Sequence, residues 1–224
     1  GKQIAIELAK KNCNLFLTGR QNKKLEKLNE ELKKVNKNNL IKHKHCNLQE
    51  TQELNNLIQK IRDEFNSIDI LVNCAGIFPV SSVSESTLEQ YDSCMNLNVR
   101  IPFVLSKEFS KDMINNRWGR IVNIASSGAY NGLKNTAIYR SSKHALLGLS
   151  RSLHNELKEF NVRTFCISPG PIKTNIGKDI IKKENPNENY ETFMKPNEIA
   201  EFITFAISFD NNLISPEIRL GRIK

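Results

Sequence analysis

Asp69-Ile70-Leu71-Val72-Asn73 carries an unbroken apolar stretch, and it runs straight into the small-residue turn Cys74-Ala75-Gly76. Continuous apolar character marks a strand covered on both faces, the situation of a parallel sheet. Arg120 to Ala125 and Val162 to Ile167 have the same character, the second stopped by Ser168-Pro169-Gly170. Upstream, Asn14 to Thr18 and Ile41 to Cys46 read as further strands. Longer segments of helical period separate them. Ile4, Ala5, Leu8 and Ala9 form the stripe of a first helix, ended near Asn12, a residue that tolerates the left-handed cap conformation. Lys23 to Lys34, Thr51 to Phe65, Leu88 to Ile114, Tyr139 to Phe160 and Glu198 to Ser208 follow, with Pro102 predicting a kink or break in the longest. Strands alternating with helices predict an α/β fold, a doubly wound parallel sheet in a single domain over residues 1–224.

Composition narrows the class. With 39% hydrophobic residues the 224-residue chain can bury a core, and no run approaches the ~18 apolar residues of a membrane span. The formal charge of +9 is spread along the chain, on lysines interleaved with asparagines, without clustered arginine and aromatic residues. That distribution predicts no nucleic-acid partner. Cys13, Cys46, Cys74, Cys94 and Cys166 are scattered, which predicts free thiols and a reducing compartment. The four histidines show no metal-ligand spacing, so no metal site is expected. The cytoplasm is the expected compartment, although the chain starts on Gly1 and any targeting segment is unreadable.

The chemistry concentrates at strand ends. In Tyr139-Arg140-Ser141-Ser142-Lys143 the phenol and the ammonium stand at i and i+4, on one helix face. A nearby ammonium favours phenolate, so Lys143 is expected to lower the pKa of Tyr139. Thirteen residues before Tyr139, Ser126-Ser127-Gly128 ends a strand, where a hydroxyl projects from the carboxyl edge at which open α/β sheets bind ligands. Cys74-Ala75-Gly76 and Pro169-Gly170-Pro171 end two others. Residues 173–195 are polar and weakly periodic and read as a loop suited to a lid.

In their order and spacing these residues resemble the short-chain dehydrogenase/reductase family, along essentially the whole chain. Asn73-Cys74-Ala75-Gly76 is similar to the family's N-N-A-G turn, Asn98 to its catalytic Asn, Ser126 to its Ser, Tyr139 and Lys143 to its Tyr/Lys pair, and Pro169-Gly170 with Thr174 to its P-G turn. The resemblance implies a Rossmann-like sheet with nicotinamide along its edge. It implies Tyr139 as acid in reduction and base in oxidation, and Lys143 on the nicotinamide ribose. It makes Ser126 the partner of the substrate oxygen and Asn98 the holder of a relay water, with Asn96 the competing position. Asn47 stands where the family places an Asp near the adenine. Gly1 matches the last glycine of the T-G-x-x-x-G-x-G motif, so the first strand and most of the phosphate loop are expected to precede this chain, and the chain reads as a fragment of a longer enzyme.

Thr18-Gly19-Arg20 bears on the cofactor. A carboxylate here would bond a ribose 2′-hydroxyl, whereas Arg accommodates a 2′-phosphate. Arg20, with Lys23 and Lys24 beyond it, predicts NADP(H). Within the family the pattern is most similar to 3-oxoacyl-acyl-carrier-protein reductases and related carbonyl reductases, implying a carbonyl or acyl-thioester substrate. Arg117 matches one of their two basic positions for the carrier, but Phe160 occupies the other and the tail lacks D-G-G. The two long helices predict a homodimer or homotetramer, with Leu146, Leu149 and Leu153 among the residues needing cover. A non-catalytic nucleotide-binding or scaffold protein of the same fold is the alternative; intact Tyr139, Lys143 and Ser126 weigh against it.

Overall fold

A computed structural model describes residues 1–175, 177–178 and 187–223. Six parallel strands are described: β1 (Leu15–Gly19), β2 (Ile41–His45), β3 (Ile70–Asn73), β4 (Gly119–Ile124), β5 (Val162–Pro169) and β6 (Glu217–Leu220). They lie in two groups, β1 beside β2 and β3-β4-β5-β6 in sequence order. Among the described residues β1, β2, β3 and β6 each keep one unpaired edge. The strand β6 is not among those expected from the sequence; Ile218 pairs with Ile167 and Leu220 with Pro169.

Seven helices connect these strands among the described residues: α1 (Lys2–Lys10), α2 (Asn22–Val35), α3 (Thr51–Glu64), α4 (Leu88–Met95), α5 (Ile101–Asn115), α6 (Ala137–Leu157) and α7 (Pro196–Ile207). Neighbouring residues of one strand serve opposite faces. Val122 packs with Ile4, Leu8, Ile199 and Ile203 of α1 and α7, while Ile121 packs with Leu54, Leu57, Phe109 and Met113 of α3 and α5. This two-faced burial is why the strands read as continuous apolar runs. As expected, Asn12 closes α1 with φ 62°.

Three details depart from expectation. The helix expected over Leu88 to Ile114 is divided by a π turn, Asn96–Arg100, and Pro102 sits in the first turn of α5 rather than at a kink within one rod. Leu146 cannot cover an interface, since it is 1% exposed and packed with Ala125, Ala129, Leu147 and Cys166. Arg120 is fully buried although it is charged. Its guanidinium bonds the carbonyls of Ile207 and Phe209 and the carboxylate of Asp210, beneath the Trp118 ring. This binds the start of β4 to the turn after α7.

Candidate active site

Ser126, two residues beyond β4, is in extended backbone and caps a one-turn 3-10 helix, its Oγ accepting from the N–H of Gly128 at 3.0 Å. That leaves the hydroxyl hydrogen free to donate. The start of α6 is tied down by buried Thr136, whose Oγ1 donates to Leu133 O and accepts from Arg140 Nε. Tyr139 and Lys143 then emerge one turn apart. Lys143 Nζ lies 5.7 Å from the centre of the Tyr139 ring and donates to the carbonyl of Ile124 at 2.8 Å.

Burial dominates the electrostatics. It lowers the Lys143 ammonium from 10.5 to about 8, with the thiols of Cys74, Cys94 and Cys166 pulling weakly the other way. Burial also raises the Tyr139 phenol, partly offset by the Ser126 hydroxyl. Tyr139 keeps some surface exposure, yet the protein packed around it removes enough hydration to disfavour phenolate. Set beside the expectation that Lys143 lowers the phenol, burial is the largest influence on Tyr139, and the Lys143 ammonium is directed at a backbone carbonyl and is not among the charges that shift it.

The π turn presents Asn98, which is 1% exposed. Its carboxamide accepts from Ile77 N–H, and donates to Ile77 C=O and to Ser142 Oγ, at 3.0, 3.0 and 2.9 Å. Pro102, four residues on, has no N–H to return to the Asn98 carbonyl, and the helix bonds one residue wider there, Ile101 N–H reaching Asn96 O. Asn96 lies outside this site, on the outer surface with Arg100.

Asn73 is buried and its Nδ2 donates to Asn123 Oδ1; Asn123 in turn donates to Ser150 Oγ. The Asn73 side chain thus braces β3, β4 and α6, while its backbone ends β3 at the turn that follows. Exposed Ala75 and half-buried Gly76 follow it. A Cβ on Gly76 would meet Asn98 Oδ1 at 3.1 Å and Lys143 Nζ at 3.9 Å, so glycine keeps this wall open. Gly1, at the amino end of α1, borders the same turn, 3.8 Å from Cys74 Sγ when given a Cβ. Arg20 is exposed at the end of β1, and among the described residues no hydrogen-bond or ion-pair partner occupies it. Asn47 follows β2, its Oδ1 accepting from Gln49 N–H. Pro169 and Gly170 close β5, with Gly170 N–H bonded to Leu220 O. Exposed Thr174 receives the N–H of Gly177 on its Oγ1. Of the expected lid, residues 176 and 179–186 lie outside the described residues; 187–195 are held by Lys173–Glu191 and by the pairing of Ile172 with Met194.

Sequence reasoning missed Phe78, whose ring centre lies 3.9 Å from that of Tyr139, and Ser142, which receives Asn98 Nδ2. Only proximity to the Ala75-Gly76 turn and to Tyr139 hinted at either. Among the described residues no group of His, Cys, Asp or Glu could hold a metal ion. All five cysteines are free, and no described helix is long and apolar enough to cross a membrane.

An open parallel sheet wound on both faces, with Ser, Tyr and Lys gathered at its carboxyl edge, defines an α/β protein of the dinucleotide-binding class. Comparison with known proteins narrows the class. The family model for short chain dehydrogenase matches residues 1–185, and the chain belongs to the short-chain dehydrogenase/reductase family. An uncharacterized oxidoreductase from Thermotoga maritima is 33% identical over 154 residues, 64% of this chain and 61% of that protein. A 3-oxoacyl-[acyl-carrier-protein] reductase FabG from Aquifex aeolicus is 29% identical over 223 residues, 97% of this chain and 89% of its own. The crystal structure of levodione reductase matches the fold with a TM-score of 0.90 at 22% identity, covering 99% of this chain and 91% of its own.

Proposed function

We propose that the protein is an NADP(H)-dependent oxidoreductase that interconverts a carbonyl compound and an alcohol. The observation that carries this reading is the convergence of Ser126, Tyr139 and Lys143 at the end of β4, with the phenol held in its protonated form. The surrounding residues fit a nicotinamide dinucleotide: Ala75-Gly76 leaves a flat approach, Gly1 opens a helix amino end, and Pro169-Gly170 adds a turn without bulk. When bound, that cofactor supplies or accepts the hydride.

The chain's own residues handle the proton. Ser126 Oγ, already accepting from Gly128, donates its hydrogen to the substrate oxygen. Tyr139 Oη gives its proton to that oxygen as negative charge develops on it, and takes it back in the reverse direction. Lys143 holds a positive charge behind the phenol and carries donors for ribose hydroxyls. Both amide donors of Asn98 are engaged, and its backbone carbonyl, which Pro102 cannot bond, is the acceptor suited to hold a water. Arg20 supports NADP(H): it is an exposed guanidinium with no acid beside it, suited to a 2′-phosphate.

Ketones and 3-oxoacyl thioesters are the substrates to test first, the thioesters on the strength of the Aquifex relative. Arg117 is exposed, with one guanidinium nitrogen bonded to Glu159 O and the rest of the group open to an acidic partner. A homodimer or homotetramer is supported by the outer face of α4, α5 and α6, where Val99, Phe103 and Leu149 line a depression of about 500 Å³; a monomer in sedimentation at micromolar concentration argues against it. The cytoplasm remains the proposed compartment, and residues 173–195 the proposed lid. The deciding assay is oxidation of NADPH and NADH with a panel of ketones and 3-oxoacyl thioesters. Cofactor binding without turnover of any carbonyl favours a non-catalytic nucleotide-binding protein.

A further inference from the structure

The segment from Ile77 to Ser81 crosses the face of the site as a strap with two anchors. Ile77 is held at both backbone atoms by the Asn98 carboxamide. Ser81 N–H donates to Asn135 O at 2.9 Å, in the loop that leads into α6. Between the anchors, the Phe78 ring lies on the Tyr139 ring at 3.9 Å between centres and 44° between planes. Aromatic pairs ordinarily sit ~4.5–7 Å apart, so this is a close contact. Pro79 follows, with a fixed φ that removes freedom from the strap at this point.

We propose that Phe78 is a positioning and specificity residue: its ring fixes the Tyr139 ring, keeps water from the phenol hydroxyl, and narrows the approach so that carbonyl compounds with one small flank are accepted over those bulky on both sides. The assignment rests on the carbonyl–alcohol reading of the site, in which Tyr139 moves the proton. Both anchors come from elements that build the site itself, the π turn through Asn98 and the entry to α6 through Asn135. The ring is therefore placed by the same residues that place Tyr139, and the gap between the two aromatic rings is set by the fold rather than by side-chain choice. Loss of hydration is also the largest influence on the phenol, and Phe78 is the aromatic group in contact with it.

Two measurements test this, one of which needs no turnover. The first is the rate at which N-acetylimidazole acetylates Tyr139 in the free protein, read by mass spectrometry of the Tyr139 peptide. Phe78→Ala is expected to raise it about tenfold, and Phe78→Tyr, which keeps the ring, to leave it near the parent value. The second is kcat/KM for two isomers, methyl hexyl ketone and propyl butyl ketone. The parent is expected to favour the methyl ketone, and Phe78→Ala to erode that preference about tenfold, mainly through KM of the bulkier isomer. Phe78→Leu replaces the alanine variant if thermal melting shows that the latter does not fold. An acetylation rate unchanged by Phe78→Ala, or an isomer preference within about twofold of the parent, overturns the assignment. Should the parent reduce neither isomer nor any other carbonyl, the reductase reading fails, and the acetylation rate still decides whether Phe78 shields Tyr139.

Discussion

Asn98 holds Ile77 by both backbone atoms, accepting from its N–H and donating to its C=O, each at 3.0 Å. A carboxamide can do both; a carboxylate can only accept. Asn98→Asp therefore loses the bonds to Ile77 O and Ser142 Oγ at a site that is 1% exposed. Unpartnered buried polar groups cost about 1–3 kcal/mol each. Urea unfolding is expected to show a loss of that order, and turnover should fall with it. A variant as stable as the parent contradicts the clamp.

Tyr139→Phe is expected to abolish carbonyl reduction while leaving NADPH binding within about twofold of the parent. Only the hydroxyl is removed, and losing a positioned acid costs about 10²–10⁴-fold in rate. Steady-state kinetics beside a fluorescence titration of NADPH check both halves. Retention of more than about a tenth of the parent turnover removes Tyr139 from the proton transfer.

The buried Lys143 ties stability to pH. Its folded pKa of about 8 lies below the ordinary 10.5, so the folded state disfavours the ammonium. Below about pH 8 the full penalty applies; as pH rises towards the unfolded value the penalty disappears, and the parent gains stability. Lys143→Met has no such group. Its stability relative to the parent should therefore fall by on the order of 3 kcal/mol between about pH 8 and pH 10.5. Urea midpoints of the cofactor-free proteins across that range measure it; a flat difference means Lys143 is charged at little cost, and an opposite trend means the fold favours its ammonium.

Arg20→Ala should lower the preference for NADPH and leave NADH use nearly unchanged, because it deletes an exposed guanidinium that makes no hydrogen bond or ion pair among the described residues. Loss of a charge-assisted contact to phosphate is expected to cost about tenfold or more in kcat/KM for NADPH. Equal efficiency of the parent with the two cofactors removes the claim.

The parallel sheet was legible because burial on both faces leaves a direct mark, unbroken apolar runs such as Ile70 to Val72. β6 left a weaker one, since only Ile218 and Leu220 carry its apolar side. Ser126, Tyr139 and Lys143 could be read from spacing, because a strand end and one helix face bring them together. Their electrostatics could not. A sequence shows that a lysine stands one turn from a tyrosine, but not that both are stripped of water. Nor could Arg120 be foreseen as a buried cation, for its carboxylate partner, Asp210, is remote along the chain and meets it only once α7 has packed.

The π turn has a further consequence for how this segment tolerates change in length. Each residue advances an α-helix by about 100°. Deleting one residue between Asn96 and Arg100 would join α4 to α5 as one rod with Pro102 in its interior, leaving the carbonyl four residues before the proline without a donor. It would also turn everything before the deletion by about 100° against everything after it. Asn98 would swing away from Ile77, or the outward row containing Tyr91 and Phe103 would come out of line. The irregularity works as a phase shifter: it lets one rod aim inward at Ile77 and outward at solvent with angles that a regular helix cannot supply together.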